Sequence, residues 1–249
     1  MTYRVGLLVL LMAGCAEVKG SGVRIEQTRE IPVFTKVLNS TAVNVRINPV
    51  DGKPNTLTCD DNVVDLIETE VKRDELQVTT KGPGYVVSVA CVLDVQATVL
   101  ESVVSSGSGT VEGTGPFQEV ASVNSSGSGG VSLDGVFGAG LSAVNSGSGA
   151  LTLLDVTAST VTVSSSGAGA STLEGNATSG TFTLSGSGAV DASALSLATA
   201  TVASTGSGDL TLNVSDTVSG SLSGSGDVIV SGGAEVNVST AGSGGVIEQ

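Results

Sequence analysis

A pair of glycines separated by one residue recurs along most of this chain, its first member standing at 107, 127, 147, 167, 186, 206, 224 and 242. The spacings are 20, 20, 20, 19, 20, 18 and 18 residues, and the middle residue is serine in every unit except the one holding Ala168. A fixed period near twenty confines the chain to folds in which one short unit stacks on its copies. Numbering each unit from its first glycine shows which way side chains point. Four residues before it stand Val103, Val123, Ala143, Val163, Phe182, Val202, Gly220 and Val238; four after it stand Val111, Val131, Leu151, Ser171, Val190, Leu210, Val228 and Val246. Both columns are apolar in seven of eight units, whereas the column five before is wholly polar: Ser102, Ser122, Ser142, Thr162, Thr181, Thr201, Ser219 and Asn237. Apolar and polar positions alternating with period two specify strands.

One unit buries about four medium apolar side chains, roughly 6 to 12 kcal/mol, against roughly 20 to 40 kcal/mol of backbone entropy for twenty residues. A unit therefore folds only against its neighbours, which is the condition for a solenoid. The expected fold is all-β, a parallel β-helix with about 20 residues per coil. Thirteen residues of alternation are too long for one straight strand, so the path is expected to bend at Gly-Ser-Gly. There a missing Cβ would relieve crowding among inward side chains and open otherwise closed backbone angles. A phosphate-cradling loop needs a following helix and basic residues, and the last base in the chain is Lys81.

Composition narrows the chemistry. The chain has no His and no Trp, which removes histidine-based triads and metal sites. Its formal charge of −14 opposes nucleic acid, and after Lys81 there are acids but no bases. No catalytic residue, metal site or cofactor is expected.

At the amino terminus Arg4 precedes the apolar run Val5 to Met12, followed by Ala13-Gly14-Cys15. This resembles a bacterial lipoprotein signal, which implies cleavage after residue 14, acylation of Cys15 and a membrane-held tether over residues 15–22. Ala16 rather than Asp after the cysteine points, by the same resemblance, to the outer membrane.

Residues 23–100 lack the repeat and hold nearly all the bases. They are expected to form irregular opening coils and a cap, because an open coil presents unpaired backbone groups. Asp60-Asp61-Asn62 ahead of Val63 to Glu68 reads as a capped short helix. Cys59 and Cys91 are either a disulfide or two separate buried thiols. Residues 101–249 form the repeat region. Its last coil carries no comparable cover and is a candidate surface for self-association.

The run Ile31-Pro32-Val33-Phe34-Thr35-Lys36-Val37, the segment Asp60 to Val71 and the Ser-Gly-Ser-Gly units together resemble the auto-transporter adhesin head GIN domain family. That resemblance spans about residues 20 to 245. It implies a right-handed parallel β-helix, export and an adhesive role, with no defined catalytic residues to carry over.

Several functions fit such a rod. In the first, the outward hydroxyl columns five before, one before and one after each glycine form a flat polar face for a glycan or a surface protein. In others the rod binds or degrades polysaccharide, or is an inert scaffold. Asp209 and Asp227, three residues after their glycines, would stack about 5 Å apart, at the distance of a retaining glycosidase pair or a shared Ca²⁺ site. They read more simply as solvated surface acids. Thr160 with Thr162, and Thr199 with Thr201, have the look of an ice-binding ladder, but Thr181 and Thr183 are expected to fall out of phase and break it.

Overall fold

The computed structural model describes residues 17–48, 52–82 and 84–249, so the apolar run and Cys15 lie outside the described residues. The chain is a parallel β-solenoid of about seven turns with roughly 20 residues per coil. Among the described residues there is no α-helix. The regular part is carried by Val131–Asn145, Leu151–Ser165, Ser171–Leu184, Val190–Ser204 and Leu210–Leu222, each pairing in parallel with the next.

Each long strand wraps around the rod, and its burial shows how. In Leu151–Ser165 the buried positions are Leu151 and Leu153, then Val156, then Val161, Val163 and Ser165. Strict alternation thus slips by one residue twice per coil, dividing it into three runs. The first slip coincides with a register shift between Leu153 and Val156. At that corner Gly135 and Asp155 stand at matching places in successive coils with φ of +80° and +49°, and in the next coil Gly175, in register with Val156 after the shift, has φ of +132°. Glycine visits such angles freely, and aspartate tolerates the left-handed region through local hydrogen bonding. The core inside is mostly Val, Leu, Ile and Ala, with Phe34, Phe117 and Phe182 as its largest members.

The chain does bend through Gly-Ser-Gly, but the glycines serve a different end from the one expected. A Cβ added at Gly127 would lie 1.9 Å from the carbonyl oxygen of Gly107, and one at Gly147 would lie 2.0 Å from that of Gly127. The same contact repeats up to Gly242, whose Cβ would meet the Gly224 oxygen at 1.9 Å. The missing side chains therefore clear space along the rod axis, toward the preceding coil, not among inward side chains. None of the motif glycines has a positive φ. From Gly107 to Gly224 the first-glycine carbonyls instead receive backbone N–H groups from the coil above; Ser128 and Gly129 donate to Gly107 at 3.1 and 3.2 Å. In the first coil Thr41-Ala42-Val43 takes the place of the motif, since Asn39 is in register with Ser105 and Gly107 and Gly109 face the Thr41 and Val43 carbonyls. The strands beneath it, Glu75–Thr80 and Val92–Gln96, are joined by a longer segment rather than by a three-residue corner, so side chains fit there.

The amino-terminal cap turns a parallel edge into antiparallel pairs. Arg24–Arg29 pairs with Asn55–Asp60, which pairs with Val92–Gln96, and Ile67–Lys72 forms a hairpin with Glu75–Thr80. Arg73 and Asp74, both at positive φ, make the two-residue turn of that hairpin. The expected helix is absent: only a single 3₁₀ turn, Val64–Leu66, forms, and its start has no side-chain cap. Asp60 is engaged elsewhere. Its buried carboxylate accepts N–H bonds from Gly22 at 2.7 Å, Ser88 at 2.8 Å and Val89 at 3.0 Å. These bonds, Val89's foremost, hold it below the usual carboxylate range despite burial. Cys59 and Cys91, both buried, are joined as a disulfide with Cα atoms 4.3 Å apart, one step beyond the Thr58 and Val92 pair.

Candidate functional site

The hydroxyl columns separate into two surfaces instead of one flat face. The column five before each glycine is a continuous in-register row, from Ser102 through Ser122, Ser142, Thr162, Thr181, Thr201 and Ser219 to Asn237. The cap extends it with Lys36 and Glu75. None of its members is buried. The residues one before and one after the glycine lie instead on the corner. Ser106, Ser126 and Ser146 stand on one side, Ser108, Ser128 and Ser148 on the other, and the glycines form the floor of a shallow, open trough of about 750 Å³.

The trough exists because the axial clearance requires glycine there: two exposed serine rows flank a row with no side chain. The floor's backbone groups are already paired between coils, so the hydroxyls are the groups left to bond. Those six serine side chains are exposed and make no hydrogen bond within the protein. Ala168 interrupts one row.

A second polar column, two before the glycine, went unnoticed in the sequence because it lies on the inward set. Asn39, Ser105, Ser125, Asn145, Ser165 and Ser204 are buried. Several reach across the bend to the carbonyl of the second glycine: Ser105 to Gly109 at 3.5 Å, Ser125 to Gly129 at 3.4 Å and Asn145 to Gly149 at 3.1 Å. The Asn145 amide also donates to the Gly169 and Ala170 carbonyls, both at 3.2 Å, and lies 3.4 Å from the Ser171 hydroxyl. That contact explains why Ser171 departs from its apolar column. The signal available in the sequence was a polar residue repeated at an inward position.

The acid pair has a structural assignment. Asp209 accepts the backbone N–H of Asp227 at 2.8 Å, and Asp227 accepts that of Gly245 at 2.7 Å. Asn44, at the same place in the first coil, accepts from Thr110 at 3.0 Å. These side chains cap the next coil's backbone and do not converge on a shared ligand. Among the described residues no group of three or more Cys, Asp or Glu side chains is placed to hold a metal ion.

The Thr181 and Thr183 pair is displaced by one column from the other threonine pairs, as expected, since Thr183 faces Ser164 and Ala203, but Ser179 fills the vacated place and keeps the hydroxyl row continuous. Thr160 pairs in register with Ser179, Thr199 and Thr217, while Thr162 pairs with Thr181, Thr201 and Ser219. Thr181 stays in the column of Thr162 and Thr201 because the one-residue difference between the units is absorbed at the corner between Leu153 and Val156.

A family model described as "Putative auto-transporter adhesin, head GIN domain" matches residues 33–169 and 146–234. No curated protein matches the chain. Among solved structures, a "putative adhesin" from Parabacteroides merdae ATCC 43184 is similar with a TM-score of 0.85 at 20% identity, covering 94% of this chain and 99% of that one. A "putative adhesin" from Parabacteroides distasonis ATCC 8503 gives 0.83 at 20% identity over 94% and 100%. A "Putative lipid binding protein" from the same organism gives 0.82 at 19% identity over 94% and 100%. At these identities the likeness concerns the fold, and the family is carried by the sequence match over most of the chain: this protein belongs to the auto-transporter adhesin head GIN domain family.

Proposed function

We propose that the protein is a non-catalytic adhesion module of the cell envelope, held to the outer membrane through an acylated Cys15 and binding a glycan or surface protein along the corner trough. The observation that supports this most directly is the pair of unpartnered serine rows flanking the glycine floor. Coils repeat about every 4.8 Å, so the rows offer donors and acceptors at a fixed spacing over several coils. Each hydroxyl contributes little alone, about 1 kcal/mol, and a rigid row sums such bonds on a repetitive ligand without ordering cost in the protein. An adhesive surface of this kind needs no acid, base or cofactor.

Glycan arrays and immobilised matrix proteins, probed with the purified chain, test the reading. Binding should fall at least tenfold when Ser126, Ser128, Ser146 and Ser148 are all changed to alanine, with the melting temperature unchanged. Undiminished binding by that variant would move the site elsewhere. Metabolic labelling with a fatty acid should mark the protein and be lost in Cys15→Ala; persistent labelling overturns the anchor.

A further inference from the structure

The face carrying the threonine ladder has a geometry the adhesion reading does not use. Over four successive coils, from Thr160 and Thr162 to Thr217 and Ser219, outward residues alternate along each strand and stack in register between strands. A third column, Ser164, Thr183, Ala203 and Ser221, continues the pattern toward the corner. From Thr199 onward, as from Thr160 and Ser179, no register shift interrupts these rows. The result is a two-dimensional lattice, about 6.6 Å along the strands by about 4.8 Å between coils.

Three properties of this lattice point to one class of ligand. Eleven of its twelve positions are Ser or Thr, and none of those hydroxyls makes a hydrogen bond within the protein. No position carries a charge; the lattice ends where Glu235 follows Thr217 in register. It has no aromatic ring, the usual platform for stacking on a sugar; the nearby Phe182 is buried in the core. A charge would organise water radially around itself, and an internally bonded hydroxyl would have its lone pairs or proton committed. Free hydroxyls beside threonine methyl groups, at repeats close to those of water oxygens on a prism face of hexagonal ice, hold surface water in an ordered layer. We infer that this face binds ice: the lattice of Thr and Ser side chains orders water into a layer continuous with the crystal, independently of the trough on the adjoining corner.

The test is cooling the purified protein around a single seed crystal. A gap between the melting and freezing points, with faceted crystal growth, is the expected result. Thr181→Tyr, which places a ring in the middle of the lattice at an exposed site, should remove most of that gap while leaving the thermal melting temperature in place. Thr172→Tyr, on a different face, should leave the gap intact. Absence of any gap in the folded wild-type protein overturns the proposal, as does full activity in Thr181→Tyr. Retention on insoluble chitin or cellulose without any effect on ice would likewise overturn it. The trough variants test adhesion separately, so either reading can fail alone.

Discussion

The Cβ position of Gly147 lies 2.0 Å from the carbonyl oxygen of Gly127 in the coil before it, closer than any real carbon approaches an oxygen without a bond. That distance, repeated up the rod, sets how tightly the coils stack and why the corner has a trough. Gly147→Ala must push the two coils apart or break their hydrogen bonds, since the atom it meets is backbone. Overpacking of this kind costs about 3 kcal/mol. Ser148→Ala, one residue away and exposed, should stay within about 0.5 kcal/mol. Urea denaturation of the two variants side by side measures the contrast.

Asn145 is the most heavily bonded of the buried corner residues. Replacing it by leucine keeps the branched side-chain skeleton, at a larger volume, but leaves the carbonyls of Gly149, Gly169 and Ala170 without that donor. A loss of about 2 to 3 kcal/mol is expected, read as a lower denaturation midpoint. The double variant with Ser171→Ala should cost less than the sum of the two singles, because their side chains meet.

Reduction of the Cys59 and Cys91 bridge releases a loop with a sequence separation of 32. In the chain-entropy model this lowers stability by about 4 kcal/mol. The melting temperature with and without reductant checks it. The repeat region should retain more structure than the cap, which the disulfide ties together, and far-UV circular dichroism with limited proteolysis distinguishes the two.

Asp60 predicts the acid limb of the stability curve. Its carboxyl is held below its ordinary value in the folded chain, so the unfolded state takes up the proton first as pH falls. Its contribution is therefore complete above the unfolded value near 3.8 and disappears as pH drops through the lower folded value. Asp60→Asn should flatten stability against pH in that acid range and leave the dependence near neutrality unchanged. A curve identical to wild type below pH 4 would refute the assignment.

Asp227 caps the last coil through the Gly245 N–H. Asp227→Ala should cost about 1 kcal/mol, the usual cost of losing such a bond. The effect is expected to be local. Faster amide hydrogen exchange should be confined to Val246–Glu248 and its partner Val228–Ser231.

Much of the fold was legible because a solenoid writes its register into the sequence. Every coil repeats the same inward columns, so Val103, Val123 and Val163 announce their stacking before any coordinate is known. The cap was less legible. Asp60-Asp61-Asn62 has the composition of a helix cap, but the bonds its first member makes come from Gly22, Ser88 and Val89, distant in sequence and invisible to local pattern. Counting from each glycine placed Thr162, Thr181 and Thr201 in one column, but attending to the threonine pairs alone hid that Ser179 continues the row of Thr160 and Thr199.

The amino-acid sequence by itself determined the period, the inward columns, the all-β class and the chemistry excluded by the absence of histidine and of late bases, because these depend on residue type and spacing alone. Tertiary structure decided what the glycines are for, which hydroxyls are spent on the corner and which remain free, and that Asp209 and Asp227 cap the backbone. Each of those depends on the distance between one coil and the next, a quantity that exists only once the coils are stacked.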